Sequence, residues 1–234
     1  MQTSPDAAKR NAGYAAAENV KDGMIVGLGS GTTAAYAIIA LGERIKHQNL
    51  RILGIPSSYQ AFHLAVQNGI TITTLEEHPI IDVNIDGADQ IDPQLNLIKG
   101  MGAALAREKI VASASKQNVI IADEKKYVQT LGENNHPIPI EVLPFAISLV
   151  QRRIQALNGC PLLRETKGKL GPVISDNGNA IMDATFGTIK DPQLLAMNLK
   201  MIPGVVETGL FIALADIVYL GTASTVKKLD AKRA

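Results

Sequence analysis

One glutamate in the segment KGMGAALAREKI sits where a solvated charge would not be expected. At about 100° per residue, Ala104, Leu105, Val111 and Ala112 share one arc of a helix; Glu108 falls in the middle of it, with Arg107 and Lys109 outside. A carboxylate withdrawn from water keeps its proton to higher pH, which moves it toward the range a general base needs near neutrality. Helical side chains lean toward the helix N-terminus, so Glu108 points back at the preceding loop, where Lys99 leads into Gly100, Met101 and Gly102. A cation followed by glycine-flanked backbone N–H groups suits an anion. The alternative for Glu108 is a buried ion pair that serves structure alone.

Two other clusters could do chemistry. GLGSGTT, residues 27–33, follows a short apolar run and opens a helical stretch, the position where backbone N–H groups and the helix dipole favour a phosphate. Ser30, Thr32 and Thr33 add hydroxyls around Gly31. The pattern is close to a dinucleotide fingerprint, but its third glycine would fall on Thr32, and Pro56, Ser57 and Ser58 stand where the ribose-binding acid belongs, so a nicotinamide cofactor is disfavoured. In VNIDGADQ, Asp86 and Asp89 flank Gly87 and Ala88 at the end of a buried run, which predicts both carboxylates at the carboxyl edge of a sheet.

The elements that must position these groups are legible in the hydrophobic pattern. MIVGLG, RILGIP, ITITTL and IIDVNID are short β-branched runs separated by helical stretches over 32–46 and 59–68; a further helix over 103–115 leads into NVIIAD. Near-continuous apolar runs indicate strands covered on both faces, hence a doubly wound, mainly parallel, Rossmann-like sheet. Beyond Leu131 the order changes to β-α-β-β-α-β, which predicts a second, smaller α+β domain of ferredoxin-like type. Its pieces are PIPIEV, a helix over 145–157, a hairpin in VISDNGNAIMD turning at 176–179, a helix over 192–201, and VVETGLF. ADIVYLG is expected to return to the first sheet, and 227–233 to be a solvated end. The division is therefore 1–131 plus 205–234 for the Rossmann-like domain and 132–204 for the small one, with the small domain expected to serve oligomerisation.

Composition narrows the partners. A chain of 234 residues with 46% hydrophobic content can bury a full core. Its 23 Lys and Arg against 22 Asp and Glu leave a net charge of +1, which gives no broad attraction for nucleic acid or an anionic membrane, so a small-molecule ligand is expected. The single cysteine, Cys160, reads as an ordinary residue in a turn before Pro161 and fits a reducing compartment. Residues 1–13 lack the apolar core of a signal peptide and no run is long enough to span a bilayer, so a cytoplasmic location is expected. His47, His63, His78 and His136 are scattered with no partner at ligand spacing, which disfavours a metal-assisted hydride shift.

With these segments in hand the chain resembles the ribose-5-phosphate isomerase family of the A type, essentially end to end. GLGSGTT, VNIDGAD, IKGMGAALAREKI, IADEKK, PIPIEVLP, SDNGNAIMD, PGVVETGLF and ADIVYLG occur in the family's order and spacing. The resemblance implies an aldose–ketose isomerase of the non-oxidative pentose phosphate branch that interconverts D-ribose 5-phosphate and D-ribulose 5-phosphate. It implies proton transfer through a cis-enediolate, with no cofactor and no metal. Carried over residue by residue, it implies Glu108 as the base, and Asp86, Asp89 and Lys99 as further catalytic groups. It also implies substrate contacts from Ser30, Gly31, Thr32, Thr33, Asp86, Gly87, Ala88, Asp89, Lys99, Gly100, Met101, Gly102 and Lys126. Lys9 aligns with a lysine near the start of the family's first helix. Gln90 and Met101 stand where the family commonly has glutamate and glycine. A homo-oligomer, dimer or tetramer, is implied as well. Two other readings are an amino-sugar phosphate isomerase–deaminase of the same broad fold and a non-catalytic sugar-phosphate sensor. The second has no use for a glutamate on an apolar helix face, and the chain has no spare length for a helix-turn-helix.

Overall fold

The computed structural model describes residues 4–168 and 170–231. The chain opens with α1 (Ser4–Ala17), β1 (Ile25–Leu28), α2 (Thr32–Gln48), β2 (Leu53–Pro56), α3 (Tyr59–Gln67), β3 (Thr71–Ile72) and β4 (Val83–Gly87). Next come β5 (Gln90–Ile91), β6 (Leu97–Ile98), α4 (Leu105–Ser113) and β7 (Asn118–Asp123). Then follow β8 (Ile138–Val142), α5 (Ile147–Ala156), β9 (Cys160–Leu163), β10 (Ala180–Thr185), α6 (Pro192–Lys200), β11 (Val205–Thr208) and β12 (Leu210–Phe211). The last elements are β13 (Ile217–Gly221) and β14 (Val226–Asp230). These elements form two compact units: one runs up to Ala88 and includes Arg107–Tyr127 and the chain from Leu214, and the other comprises Asp89–Ala106 and Val128–Ala213. No described helix is long and apolar enough to cross a membrane.

The first unit is built on a sheet of order β14-β13-β7-β4-β1-β2-β3, parallel except for β14. Residues facing one side, among them Val26, Leu28, Ile85, Val119 and Ile121, pack with Ala12, Ala16, Ala37, Ile38 and Leu41 of α1 and α2. On the other side Ile55 and Ile81 meet Val111 of α4. Cover on both faces is why these strands carry apolar runs with no polar alternation. From β1 the chain winds outward to β2 and β3, then returns to β4 on the opposite flank. The carboxyl ends of β1 and β4 therefore form the switch point where open α/β sheets bind ligands. ADIVYLG does return to this sheet, as β13 beside β7. The expected solvated end is instead partly an edge strand: β14 pairs with β13 and exposes Lys227, Lys228 and Asp230, charges that blunt an edge. Residues 232 and 233 of that segment lie outside the described residues.

The second unit carries an antiparallel sheet of order β11-β8-β10-β9, the 4-1-3-2 arrangement of a β-α-β-β-α-β chain. Ile138, Ile140 and Val142 pack with Val150 and Ile154 of α5 and Leu199 of α6. Its second strand is not the VIS segment expected from the sequence but Cys160–Leu163, so Cys160 opens a strand where a turn was expected. Ile174 makes only an isolated bridge to Ala180. The turn itself is present, and its cause is a buried side chain: the Glu141 carboxylate accepts hydrogen bonds from Ser175 Oγ (2.8 Å), Asn177 Nδ2 (3.0 Å) and Asn179 Nδ2 (2.8 Å). The sequence division at 131 and 205 differs from the contacts: β6 pairs with β12 and β5 in a separate small sheet, and the Lys99 N–H donates to the Gly209 carbonyl (2.9 Å), which ties 89–106 to 205–213 within this unit. The α4 helix begins at Leu105, later than 103, because Ala103 is left-handed (φ 62) and cannot belong to it.

Asp82 locks the amino edge of the first sheet. Its carboxylate accepts from Lys116 Nζ (2.7 Å) and from the Ile25 N–H (2.9 Å), and these two donors, the lysine first, hold its pKa below the usual carboxylate value. A depressed folded pKa means the contribution is complete above the unfolded value of about 3.9 and is lost as pH falls through the folded one. Asp82→Asn is therefore expected to destabilise the protein at pH 7 by no more than about 1 kcal/mol, because the lysine is solvated, and so to lower the thermal midpoint, with the difference fading below about pH 4. Thermal melts of both proteins at pH 3.5 and 7 check this.

Candidate active site

The glycine loop of the first unit is held from below by one carboxylate. Asp86, the fourth residue of β4 and 1% exposed, accepts the Ser30 N–H (3.1 Å) and the Gly87 N–H (2.7 Å) on the same oxygen. Gly29 must be glycine, since a Cβ there would lie 2.2 Å from that oxygen. Gly31 has φ 96 and serves as the N-cap of α2, with no side chain capping the helix. The first turn of α2, with Thr32 and Thr33, thus presents its N–H groups and the positive end of a 17-residue helix to the loop. The Gly31 N–H itself donates to Gln60 Oε1 (2.8 Å).

Ser30 is positioned by two serines at the end of β2. Its Oγ donates to Ser58 Oγ (2.6 Å) and lies 2.9 Å from Ser57 Oγ, which in turn donates to the Leu28 carbonyl (3.1 Å). Ser58 also caps α3 by accepting the Ala61 N–H. Ser57 and Ser58 drew notice in the sequence only as the absence of a ribose-binding acid. Their placement shows a second task, which a serine pair after a strand and before a helix could have signalled. Thr32 and Thr33 lie in the same loop-to-helix junction, Thr32 exposed and Thr33 half-buried. Lys126 ends a 3₁₀ turn, Glu124–Lys126, that follows the carboxyl end of β7, and Lys9 lies half-buried on α1.

Glu108 is where the helical arc placed it. It is 5% exposed, with Leu105, Val111 and Ala112 buried along the same face. It falls in the first turn of α4, where the helix dipole favours a negative charge even though burial opposes one. The α4 face covers β1 closely: a Cβ on Gly27 would come 2.6 Å from Val111 Cγ1. A crossover helix runs antiparallel to the strands it joins, so Glu108, one turn N-terminal to Val111, lies toward the carboxyl edge and the glycine loop.

In the second unit, Asp89 follows directly on Gly87 and Ala88 in the chain. Its Oδ2 accepts the Met101 N–H (3.1 Å), and its own N–H donates to the Ile98 carbonyl (2.8 Å). Lys99 is buried, with its ammonium 5.3 Å from the centroid of the Phe211 ring. Gly100 is left-handed (φ 103), and Met101 and Gly102 are exposed. Gln90 holds the adjoining turn: its Oε1 accepts the Gly132 N–H (2.7 Å) and its Nε2 donates to the Glu133 carbonyl (3.0 Å). A carboxamide can do both, whereas an ionised glutamate could only accept.

A sequence profile described as ribose 5-phosphate isomerase A (phosphoriboisomerase A) matches residues 53–225. The chain belongs to this family. Ribose-5-phosphate isomerase A of Methanosarcina acetivorans is 49% identical over 221 residues, 94% of this chain and 93% of that protein. The protein of that name from Pyrococcus abyssi is 45% identical over 223 residues, 95% of this chain and 97% of its own. Among solved structures, ribose 5-phosphate isomerase A from Methanocaldococcus jannaschii has a TM-score of 0.93 at 42% identity, covering 97% of this chain and 100% of its own. A D-ribose-5-phosphate isomerase in complex with phospho-erythronic acid has a TM-score of 0.93 at 43% identity and covers 98% and 100%. The family match explains the joint presence of a glycine loop without dinucleotide features and a buried glutamate. As a ribose 5-phosphate isomerase A family member, the chain keeps the glycine loop close against Asp86, and this closeness can be tested. Gly29→Ala is expected to destabilise the protein by about 1–3 kcal/mol, as overpacking does, and to raise KM for a sugar phosphate by displacing Ser30. Thermal melts and steady-state kinetics read the two effects separately.

Proposed function

We infer that this chain interconverts D-ribose 5-phosphate and D-ribulose 5-phosphate, moving a proton between C2 and C1 of the open-chain sugar through a cis-enediolate. The observation that carries the reading is the burial of Glu108 on the apolar face of α4, in a family named for this isomerisation. The relative solved with phospho-erythronic acid supports it, since a planar carboxylate at the head of a hydroxylated, phosphorylated chain matches the shape and charge of the enediolate. The reaction is redox-neutral within one molecule and calls for no nicotinamide.

In the proposed mechanism Glu108 removes the C2 proton as a general base and returns it to C1. Lys99 and the Gly102 N–H offset the negative charge on the enediolate oxygen. The phosphate is held by the N–H groups and hydroxyls of Thr32 and Thr33 at the start of α2, with Ser30 and Gly31 shaping the loop around it and Lys126 as a point charge. Asp86, committed to the Ser30 and Gly87 N–H groups, is assigned to holding the loop. Asp89, half-buried, is assigned to the substrate hydroxyls, to ring opening and to carrying the hydroxyl proton from O2 to O1 as the carbonyl moves from C1 to C2, with Gly87 and Ala88 contributing backbone.

Glu108→Gln keeps size and hydrogen-bonding capacity while removing the base. With a chelator present throughout, its kcat for ribose 5-phosphate is expected to fall by about 10²–10⁴ while the fold is retained. Parental turnover in the variant would remove Glu108 from the mechanism, and a loss of parental activity on chelation would bring in a metal. Ammonia release from glucosamine 6-phosphate, with no ketopentose formed, would favour the deaminase reading.

We further propose that the chain works in the cytoplasm, where its phosphorylated, membrane-impermeant substrate resides, and that it self-associates through the second unit. That unit exposes Phe145 (98%) and Leu149 beside Leu194, Met197 and Met201 (81%) on and around α5 and α6. So many large apolar side chains in water indicate a covered face. Phe145→Glu with Met201→Glu is expected to give a smaller species in analytical ultracentrifugation than the parent, and an unchanged mass would remove this face from the contact.

A further inference from the structure

The loop that carries Lys99 is braced by a residue outside every motif named above. Arg164 extends the β9–β10 ladder: its N–H donates to the Ile181 carbonyl (2.9 Å) and its carbonyl accepts the Val173 N–H (2.8 Å). Leu162 lies opposite Asp183 in that ladder, so Arg164, two residues on, shares the face of Asp183. The guanidinium forks onto this carboxylate, with Nε donating to Oδ2 (2.7 Å) and Nη2 donating to Oδ1. Nη1 then donates to two successive carbonyls, Gly100 (3.1 Å) and Met101 (2.9 Å). The side chains are 11% and 18% exposed, so the fork is largely withdrawn from water and fixed in direction.

In a trans peptide the N–H points opposite to the C=O. With the Gly100 and Met101 carbonyls drawn toward Arg164, the N–H groups of Met101 and Gly102 must face away from it. The Met101 N–H accordingly reaches Asp89 Oδ2 (3.1 Å). A single cation thereby orients two consecutive donors in the loop that follows Lys99. Lysine could not do the same, because the task needs a planar fork that holds a carboxylate with one edge and two carbonyls with the other.

We propose that Arg164, clamped by Asp183, is a positioning residue for the isomerisation: it sets the two peptide planes after Gly100 so that the Gly102 N–H meets the enediolate oxygen while the Met101 N–H holds Asp89 in place. The proposal rests on the reaction assigned above and adds a residue to it. Because the Gly102 donor matters most to a charge that develops during reaction, the expected signature lies in kcat more than in KM.

The test compares the parent with Arg164→Ala, Arg164→Lys and Asp183→Asn by steady-state kinetics on ribose 5-phosphate and by thermal melts. Arg164→Ala is expected to lose about 10²-fold in kcat with KM little changed, the scale of loss expected from misplaced catalytic groups. Arg164→Lys should recover little of this. Guanidinium ion at non-denaturing concentration should restore part of the kcat of Arg164→Ala and leave the parent unaffected, which a merely structural role would not produce. A folded Arg164→Ala with parental kcat, or with a loss confined to KM, overturns the proposal. Should that variant fail to fold, parental kcat in both Arg164→Lys and Asp183→Asn overturns it equally. A parent inactive on ribose 5-phosphate would overturn the reaction assignment itself, whereas an active parent with unaffected variants removes only the role of Arg164.

Discussion

The hydrogen bond from the Ser30 N–H to Asp86 Oδ1 binds the end of β4 to the loop that leaves β1, and the Gly87 N–H, donating to the same oxygen, fixes that carboxylate in place. Both strands end at the point where the winding of the sheet reverses, so no intervening element separates them. The carboxylate lies so close beneath the loop that position 29 can carry no side chain. From there the chain must turn through a left-handed Gly31 to enter α2, which directs the helix N-terminus at the space above the sheet edge. The Ser57 and Ser58 hydroxyls complete the arrangement by fixing Ser30 from β2. The phosphate site proposed here is therefore pre-organised. Its donors are already aimed, so binding a phosphate requires little further ordering of the backbone.

The proposed reaction also requires a base held out of water, and the candidate, Glu108, is buried on α4 among Leu105, Val111 and Ala112. Two effects act on that carboxylate in opposite directions. Removal from water disfavours its charge, while its place in the first helical turn favours it.

Polar groups outside the motifs govern how the loops of the second unit fold. Glu141 gathers Ser175, Asn177 and Asn179 into the turn before β10. Gln90 uses both ends of its carboxamide on the Gly132 turn, which accounts for an amide where the family commonly has an acid. Arg164 and Asp183 do the same for the loop after Lys99. Gln90 and Arg164 satisfy backbone groups that no helix or strand satisfies, and Glu141 and Asp183 hold the polar side chains that shape these loops.

Local patterns were enough to read the alternation of strands and helices, the doubly wound class, the glycine loop, the paired aspartates and the outlying glutamate. Each is encoded by residues within one helical turn or one strand of each other, where period and glycine placement carry the information. What escaped that reading depends on residues distant in the chain. Cys160–Leu163 is a strand because β10 lies beside it, and the end of the chain supplies β14 because β13 offers an open edge. The association of 89–106 with 205–213 rests on β6 meeting β12 across more than a hundred residues. The division of tasks proposed for Asp86 and Asp89 likewise rests on which N–H groups each accepts. Hydrogen-bond partners of that kind are chosen by packing in three dimensions, and a linear pattern holds no record of them.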